Sequence, residues 1–378
     1  MAWSVTRFDE IKHLLKSPQV SRDARRHWPA YQRGEIGPDW PLISWVAVKS
    51  AFTTYGEERV RLRNLIAKAF TPRRTERLRP RIEEITEGLL AELEARDPSQ
   101  PVDLRADFAY RIPTQVICDL FGVPDEMREQ TLRVIDAALD TGATPEQAQA
   151  HFQQMWGQMA TIIAYRREHP GDDMTSELIA ARDDESGSRL DEDELVSTLI
   201  LMIGAGAETA VNLIAKATVE LLTHPEQREL IDRGEVGWAE VVEETLRLEA
   251  PIMHMPLRYA VEDIELDGVL IKAGDAILPG FGAAGRDRCR HGADADVFDA
   301  TRSDKEHLAF GYGVHFCIGA PLARLEGTIA LSRLFDRFPD LRLAVPAERL
   351  EPQASFIANG HSALPIRLNG ARPQAEAA

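Results

Sequence analysis

Apolar residues recur at three- and four-residue spacing through most of the chain, so the helical period dominates. A short strand is predicted over Trp3–Phe8, with a helix over Asp9–Leu15. Helices follow over Glu57–Phe70, Pro72–Arg96 and Pro113–Phe121, the last stopped by Gly122-Val123-Pro124. Another runs over Pro145–His169 and ends at Pro170-Gly171. Gly34–Trp45, rich in Pro and Trp, and Asp183–Ser188 are expected to be loops. The longest helical pattern is Asp191–Leu222, opened by an Asp191/Glu194 capping pair and closed by His224-Pro225. Its middle is almost wholly apolar, which predicts burial on every side. Trp238–Leu248 and a segment from Ala320 to about Phe338 complete the helices. Ile264-Glu265-Leu266 and Val269-Leu270-Ile271 flank Asp267-Gly268, a hairpin signal. The expected fold is mainly α with a smaller β region (α+β). A single domain is expected over residues 1–370, with 371–378 a disordered tail.

Composition narrows the class. The chain has 378 residues, 44% of them hydrophobic, and a formal net charge of −17. That charge disfavours nucleic acid as a partner. It is uneven, however: Arg59 to Arg81 is strongly basic, fitting either an acidic partner or a solvated helix face. The three cysteines argue against a disulfide framework. Cys118 lies in an apolar run and reads as core; Cys289 lies among charges and reads as exposed. The opening residues lack an apolar stretch, and the longest apolar run, Leu195–Ala207, is too short to span a bilayer. A cytoplasmic protein with no membrane partner is the expectation.

Cys317 stands apart. It sits in Phe310-Gly311-Tyr312-Gly313-Val314-His315-Phe316-Cys317-Ile318-Gly319, a glycine-punctuated loop just before a helix. Free N–H groups at a helix start stabilise a thiolate and should lower its pKa, and such a thiolate can hold a metal. Gly319 leaves room for a flat cofactor, and Pro321 suits the first helical turn. A structural cysteine in a capping loop is the plainer alternative. A second weak point is Gly204-Ala205-Gly206-Ala207-Glu208-Thr209, inside the longest helix. Each interior glycine costs about 1 kcal/mol relative to alanine. Either a ligand approaches this backbone or two helices cross closely there. Thr209 can turn its hydroxyl inward and replace a backbone hydrogen bond, with Glu208 as a carboxylate beside it. Glu244 and Arg247 share one helical face, by itself a weak signal.

The Phe310–Gly319 stretch resembles the heme-binding loop of the cytochrome P-450 family, F-x-x-G-x-H-x-C-x-G, at every fixed position. The resemblance covers nearly the whole chain and is closest to soluble actinobacterial members. It implies a triangular, prism-like helical domain with heme b between the long central helix and the cysteine loop. Cys317 would ligate iron. Thr209 and Glu208 would be the acid–alcohol pair that serves O2 activation. Arg63, Arg59, Arg258, His307 and His315 would face the heme carboxylates, with Ala205, Gly206, Phe310, Gly311 and Gly319 against the ring. Glu244, Arg247 and Arg302 would maintain the fold. A hydrophobic substrate would meet Trp45, Met202, Ile252, Met255, Phe356 and Ile357, and His254 would either recognise a polar group or be hydrogen-bonded inside. The implied activity is hydroxylation or epoxidation of a steroid, polyketide or other secondary metabolite. Oxidative C–C or C–O coupling and a catalytically silent helper role are the alternatives. The implied electron donors are a ferredoxin and its reductase, docking near Cys317 and the basic patch. The chain departs from the family in four respects: it opens a few tens of residues late, at the family's second strand; Arg59 stands where histidine is usual; Gly285 stands where asparagine is common; and Ala210 stands where a second threonine is frequent.

Overall fold

The computed structural model describes residues 1–37, 40, 42–70, 72–136, 144–181 and 187–368. The proposed disordered tail and most of the 183–188 loop lie outside them. The centre is a pair of consecutive helices, Glu192–Gly206 and Glu208–Thr223, where one helix was expected. The interruption falls at Ala207, beside the Thr209 hydroxyl, which donates to the Ala205 carbonyl at 2.8 Å. A side chain bonded to the backbone in this way competes with the helical ladder. The capping box at Asp191 is present: Asp191 accepts from the Glu194 N–H at 2.8 Å, and the Glu194 carboxylate accepts from the Asp191 N–H at 3.1 Å.

Around this pair pack helices Pro145–Glu168, Trp238–Leu248, Arg111–Leu120 and Ala320–Arg337. Leu199, Ile203, Val211, Ile214, Phe108 and Leu331 are buried where they meet. The segment from Pro72 splits into Pro72–Arg77 and Arg79–Glu94, because the Pro80 ring cannot sit inside a continuous helix. Helices Asp125–Asp136 and Met174–Ala180 add to those expected, and the Pro/Trp-rich loop ends in a short helix, Ile43–Ala47.

Among the described residues, nine strands form the β region: β1 Ala2–Val5, β2 Val20–Ser21, β3 Val102–Asp103, β4 Arg258–Ala260, β5 Ile264–Leu266, β6 Val269–Ile271, β7 Ala276–Pro279, β8 Arg342–Leu343 and β9 Pro365–Arg367. The largest sheet has the order β1-β7-β4-β2, with β1 parallel to β7. In it Ser21 pairs with Tyr259, so the register carries Arg22 toward Arg258. The hairpin β5–β6 turns through Asp267 (φ 48°) and Gly268 (φ 75°), as its sequence predicts. Cys118 is buried and Cys289 exposed, also as expected.

The Glu244/Arg247 pair is fully buried. Arg247 uses all five of its N–H donors: two on Glu244 and one each on the carbonyls of Gly285, Ala295 and Val297. Arg302 approaches Glu244 at 3.5 Å and is held more tightly by Asp294.

Candidate active site

A cavity of about 320 Å³ separates the central helices from the cysteine loop. Met202, Ala205, Gly206, Glu208 and Thr209 line one side, and Phe310, Gly311, His315, Cys317 and Gly319 the other. Trp45, Ile252 and Met255 add apolar wall. Ala205 and Cys317 have accessible surface although protein surrounds them; that surface is the cavity itself.

Local backbone geometry fixes the sulfur. Gly311 and Gly313 both take φ of 68°, a left-handed conformation that side chains oppose. The Cys317 N–H closes the loop on the Phe310 carbonyl at 2.9 Å, and the helix starts at Ala320. A Cβ on Gly319 would lie 3.8 Å from Cys317 Sγ, so larger side chains there would begin to cover the sulfur. Burial pushes the free thiol's pKa up; the N–H groups of Gly319 and Ala320 and the charge of Arg63 oppose the rise without cancelling it. The expected lowering is therefore reversed. Enclosure outweighs the helix terminus, and a thiolate here needs a cation bound to it.

Thr209 faces the cavity, and the neighbouring Glu208 carboxylate is held in turn. It pairs with Arg105 at 2.6 Å and accepts from the Gln353 amide. Gln353 also accepts from Asn212 at 3.3 Å. Arg105, Asn212 and Gln353 are absent from the sequence-based set. Asn212 was open to detection, one turn beyond Glu208 on the same helix. Arg105 and Gln353 are more than a hundred positions from Glu208 and carry no local signal.

The cavity's cations are Arg22, Arg63 and Arg258, with His315 among them. Arg63 donates to the Phe316 carbonyl at 2.7 Å. Arg258 is buried, which lowers its pKa to about 9, and its Nη1 has no partner. Burial and four surrounding arginines keep His315 neutral to well below the usual histidine range. Four predicted contacts are turned elsewhere. His307 is 3.3 Å from Glu243 and off the cavity wall, because that carboxylate takes its ring. Arg59 donates at 3.2 Å to the Val314 carbonyl, at the outer side of the loop. Phe356 is exposed and Ile357 packs into the core; their neighbour Ala358 reaches the wall instead. His254 is hydrogen-bonded to the Phe356 carbonyl at 2.8 Å.

These residues fit a heme. One accessible sulfur faces the cavity, buried guanidinium nitrogens on Arg258 and Arg22 lack any anion, and glycines flank the sulfur. A porphyrin with two carboxylates supplies what is missing on each count. Comparison with known proteins agrees. The sequence profile of the family described as Cytochrome P450 matches residues 239–353. The 2-hydroxy-5-methyl-1-naphthoate 7-hydroxylase of Streptomyces carzinostaticus is 45% identical over 370 residues, 98% of this chain and 90% of that one. The 6-deoxyerythronolide B hydroxylase of Saccharopolyspora erythraea is 38% identical over 375 residues, 98% and 91% of the two chains. The structure of CYP154A1 from Streptomyces coelicolor A3(2) superimposes with a TM-score of 0.92 at 51% identity, covering 97% of this chain and 92% of that one. Matched in sequence and in fold along nearly the full length, this chain belongs to the cytochrome P450 family, as a monooxygenase that works with heme b.

Proposed function

We propose that the chain hydroxylates a hydrophobic, polyketide-type secondary metabolite in the cytoplasm, with electrons from a ferredoxin and its reductase. The apolar wall of Trp45, Met202, Ile252 and Met255 supports a hydrophobic substrate. Relatives named for a naphthoate and for deoxyerythronolide B support the polyketide class.

Heme, when bound, supplies the activation of O2 and the oxidising power to insert one oxygen atom into the substrate. The protein does the rest. Cys317 Sγ would hold the iron, and Arg63 and Arg258 the carboxylates. The apolar wall orients the substrate and excludes water. The Glu208 carboxylate, anchored through Oε1 by Arg105 and Gln353, would take part in proton delivery beside the cavity. Thr209 Oγ1, now on the Ala205 carbonyl, is placed to pass protons inward once it rotates off that bond.

The observation that carries this reading is Cys317 Sγ opening into a cavity edged with unpaired guanidinium groups. Its test is the carbon monoxide difference spectrum of the reduced protein. A far-shifted Soret band is expected in the wild type and should be lost in Cys317→Ala. A wild-type protein without that band contradicts the assignment.

A further inference from the structure

The least explained group in the cavity wall is Arg22. It stands 2% exposed at the end of β2, and its Nη2 donates to the Pro256 carbonyl at 2.6 Å. Its Nε and Nη1 are buried with no partner. Its guanidinium carbon lies 3.4 Å from the ring centroid of Phe52, and that ring meets His315 edge-on at 6.4 Å. Phe52 thus ties Arg22 to the same edge of the cavity as the cysteine loop. The sheet register brings it beside Arg258, a like charge. Among the described residues no carboxylate pairs with it. A buried guanidinium facing a second one is costly unless an anion sits between or across them. The nearest acids of the cavity do not serve: Glu208 is taken by Arg105, and burial raises the pKa of Glu326 to about 8, which leaves it uncharged.

We propose that Arg22 is a carboxylate-binding residue of this cavity, a third guanidinium beside Arg63 and Arg258. The unpartnered Nε–H and Nη1–H groups can each donate to a carboxylate oxygen, and stacking on Phe52 fixes the plane in which they point. The ligand is a carboxylate of the heme or a carboxylate on an aromatic acid bound above it; the chemistry of recognition is shared. This rests on the heme reading of the cavity, which the carbon monoxide spectrum tests separately.

The experiment compares heme-loaded wild type, Arg22→Gln and Arg22→Lys, each first shown to have the same carbon monoxide spectrum. Heme transfer to excess apomyoglobin and spectral titration with 1-naphthoate and with naphthalene are measured. If the carboxylate is the cofactor's, Arg22→Gln releases heme about tenfold faster, as loss of a charge-assisted contact implies. Arg22→Lys then recovers most of that retention, and loading with heme dimethyl ester erases the difference. If the carboxylate belongs to a bound acid, heme release is unchanged, and naphthoate binds about tenfold more weakly to Arg22→Gln while naphthalene does not change. Equal heme release and equal naphthoate affinity in wild type and Arg22→Gln overturn the proposal. So does a loss that persists with the dimethyl ester and extends to naphthalene, since Arg22 would then only hold the Pro256 carbonyl.

Discussion

Thr209 and Glu326 show how much depends on one polar atom inside this cavity. The Thr209 hydroxyl is the sole side-chain oxygen on the stretch Gly204–Ala207 and its flank that is free to change partner, since Glu208 is held from two sides. In Thr209→Ala the proton path should fail while electrons still arrive. Product formed per electron pair is expected to fall about tenfold, with peroxide released, and Thr209→Ser should restore most of it. Unchanged coupling would mean that another group relays the proton. Glu326 is fully enclosed on the helix that follows Cys317, and burial raises its pKa from 4.5 to about 8. The folded state therefore binds this proton more tightly than the unfolded one, and stability declines as pH rises between those two values. Glu326→Gln removes the decline. At pH 7 the heme-loaded variant should be more stable than wild type by at most about 3 kcal/mol, with the gap closing toward pH 4.5. Thermal unfolding across that range measures it, and a gap that does not narrow at low pH would refute the assignment.

At the scale of elements, helix Trp238–Leu248 meets the segment that carries Gly285 backbone to backbone. A Cβ on Gly285 would lie 1.7 Å from the Arg247 carbonyl oxygen, a backbone atom that cannot swing aside. Glycine is therefore required where the helix end settles directly on the segment. Gly285→Ala should push Arg247 off the carbonyls it bridges, with a destabilisation of roughly 3 kcal/mol or more, read from the urea midpoint. A midpoint within experimental scatter of wild type would show that the joint can open. The same joint explains what could be read from sequence. The β5–β6 hairpin and the Asp191 capping box were legible because their partners are three residues apart or fewer in the turn. The cysteine loop was legible because its glycines, histidine and cysteine act within ten residues. Contacts made across the fold were not. Arg22 meets Pro256, and Arg105 meets Glu208, by the meeting of separate elements, which no local pattern encodes. The approach of Glu243 to His307 from another helix is a contact of the same kind. The break at Leu78 was open to detection, with Pro80 just after it, but the charged pattern on both sides hid it.

At the scale of the molecule, the question is where electrons enter. The overall charge of −17 should repel an acidic donor, and the arginine-rich segment from Arg59 to Arg81 suggests a local remedy. The structure weakens that remedy. Arg61 pairs with Glu194, Arg74 with Asp172 and Glu177, Arg79 with Glu76, and Arg81 with Asp119 and Glu84. Arg59 and Arg63 spend donors on carbonyls of the cysteine loop. What that loop presents outward is apolar: Val314 and Phe316 are about half exposed, and Val60 stands near Arg59 and Arg63 on the adjoining helix. Pairing removes part of that charge, and the exposed apolar side chains of Val314 and Phe316 in the cysteine loop give a donor something to desolvate. Docking of a ferredoxin should accordingly depend more on this apolar face than on long-range attraction. Val314→Asp is expected to slow reduction by a ferredoxin about tenfold, by placing a charge in a contact that must dry. Its carbon monoxide spectrum and its reduction by dithionite should stay as in wild type. Raising salt from low to physiological strength should change the wild-type rate by only a few-fold, because exposed pairs already screen one another. A steep salt dependence together with a silent Val314→Asp would place the docking surface elsewhere, on arginines that their neighbours release when the donor arrives.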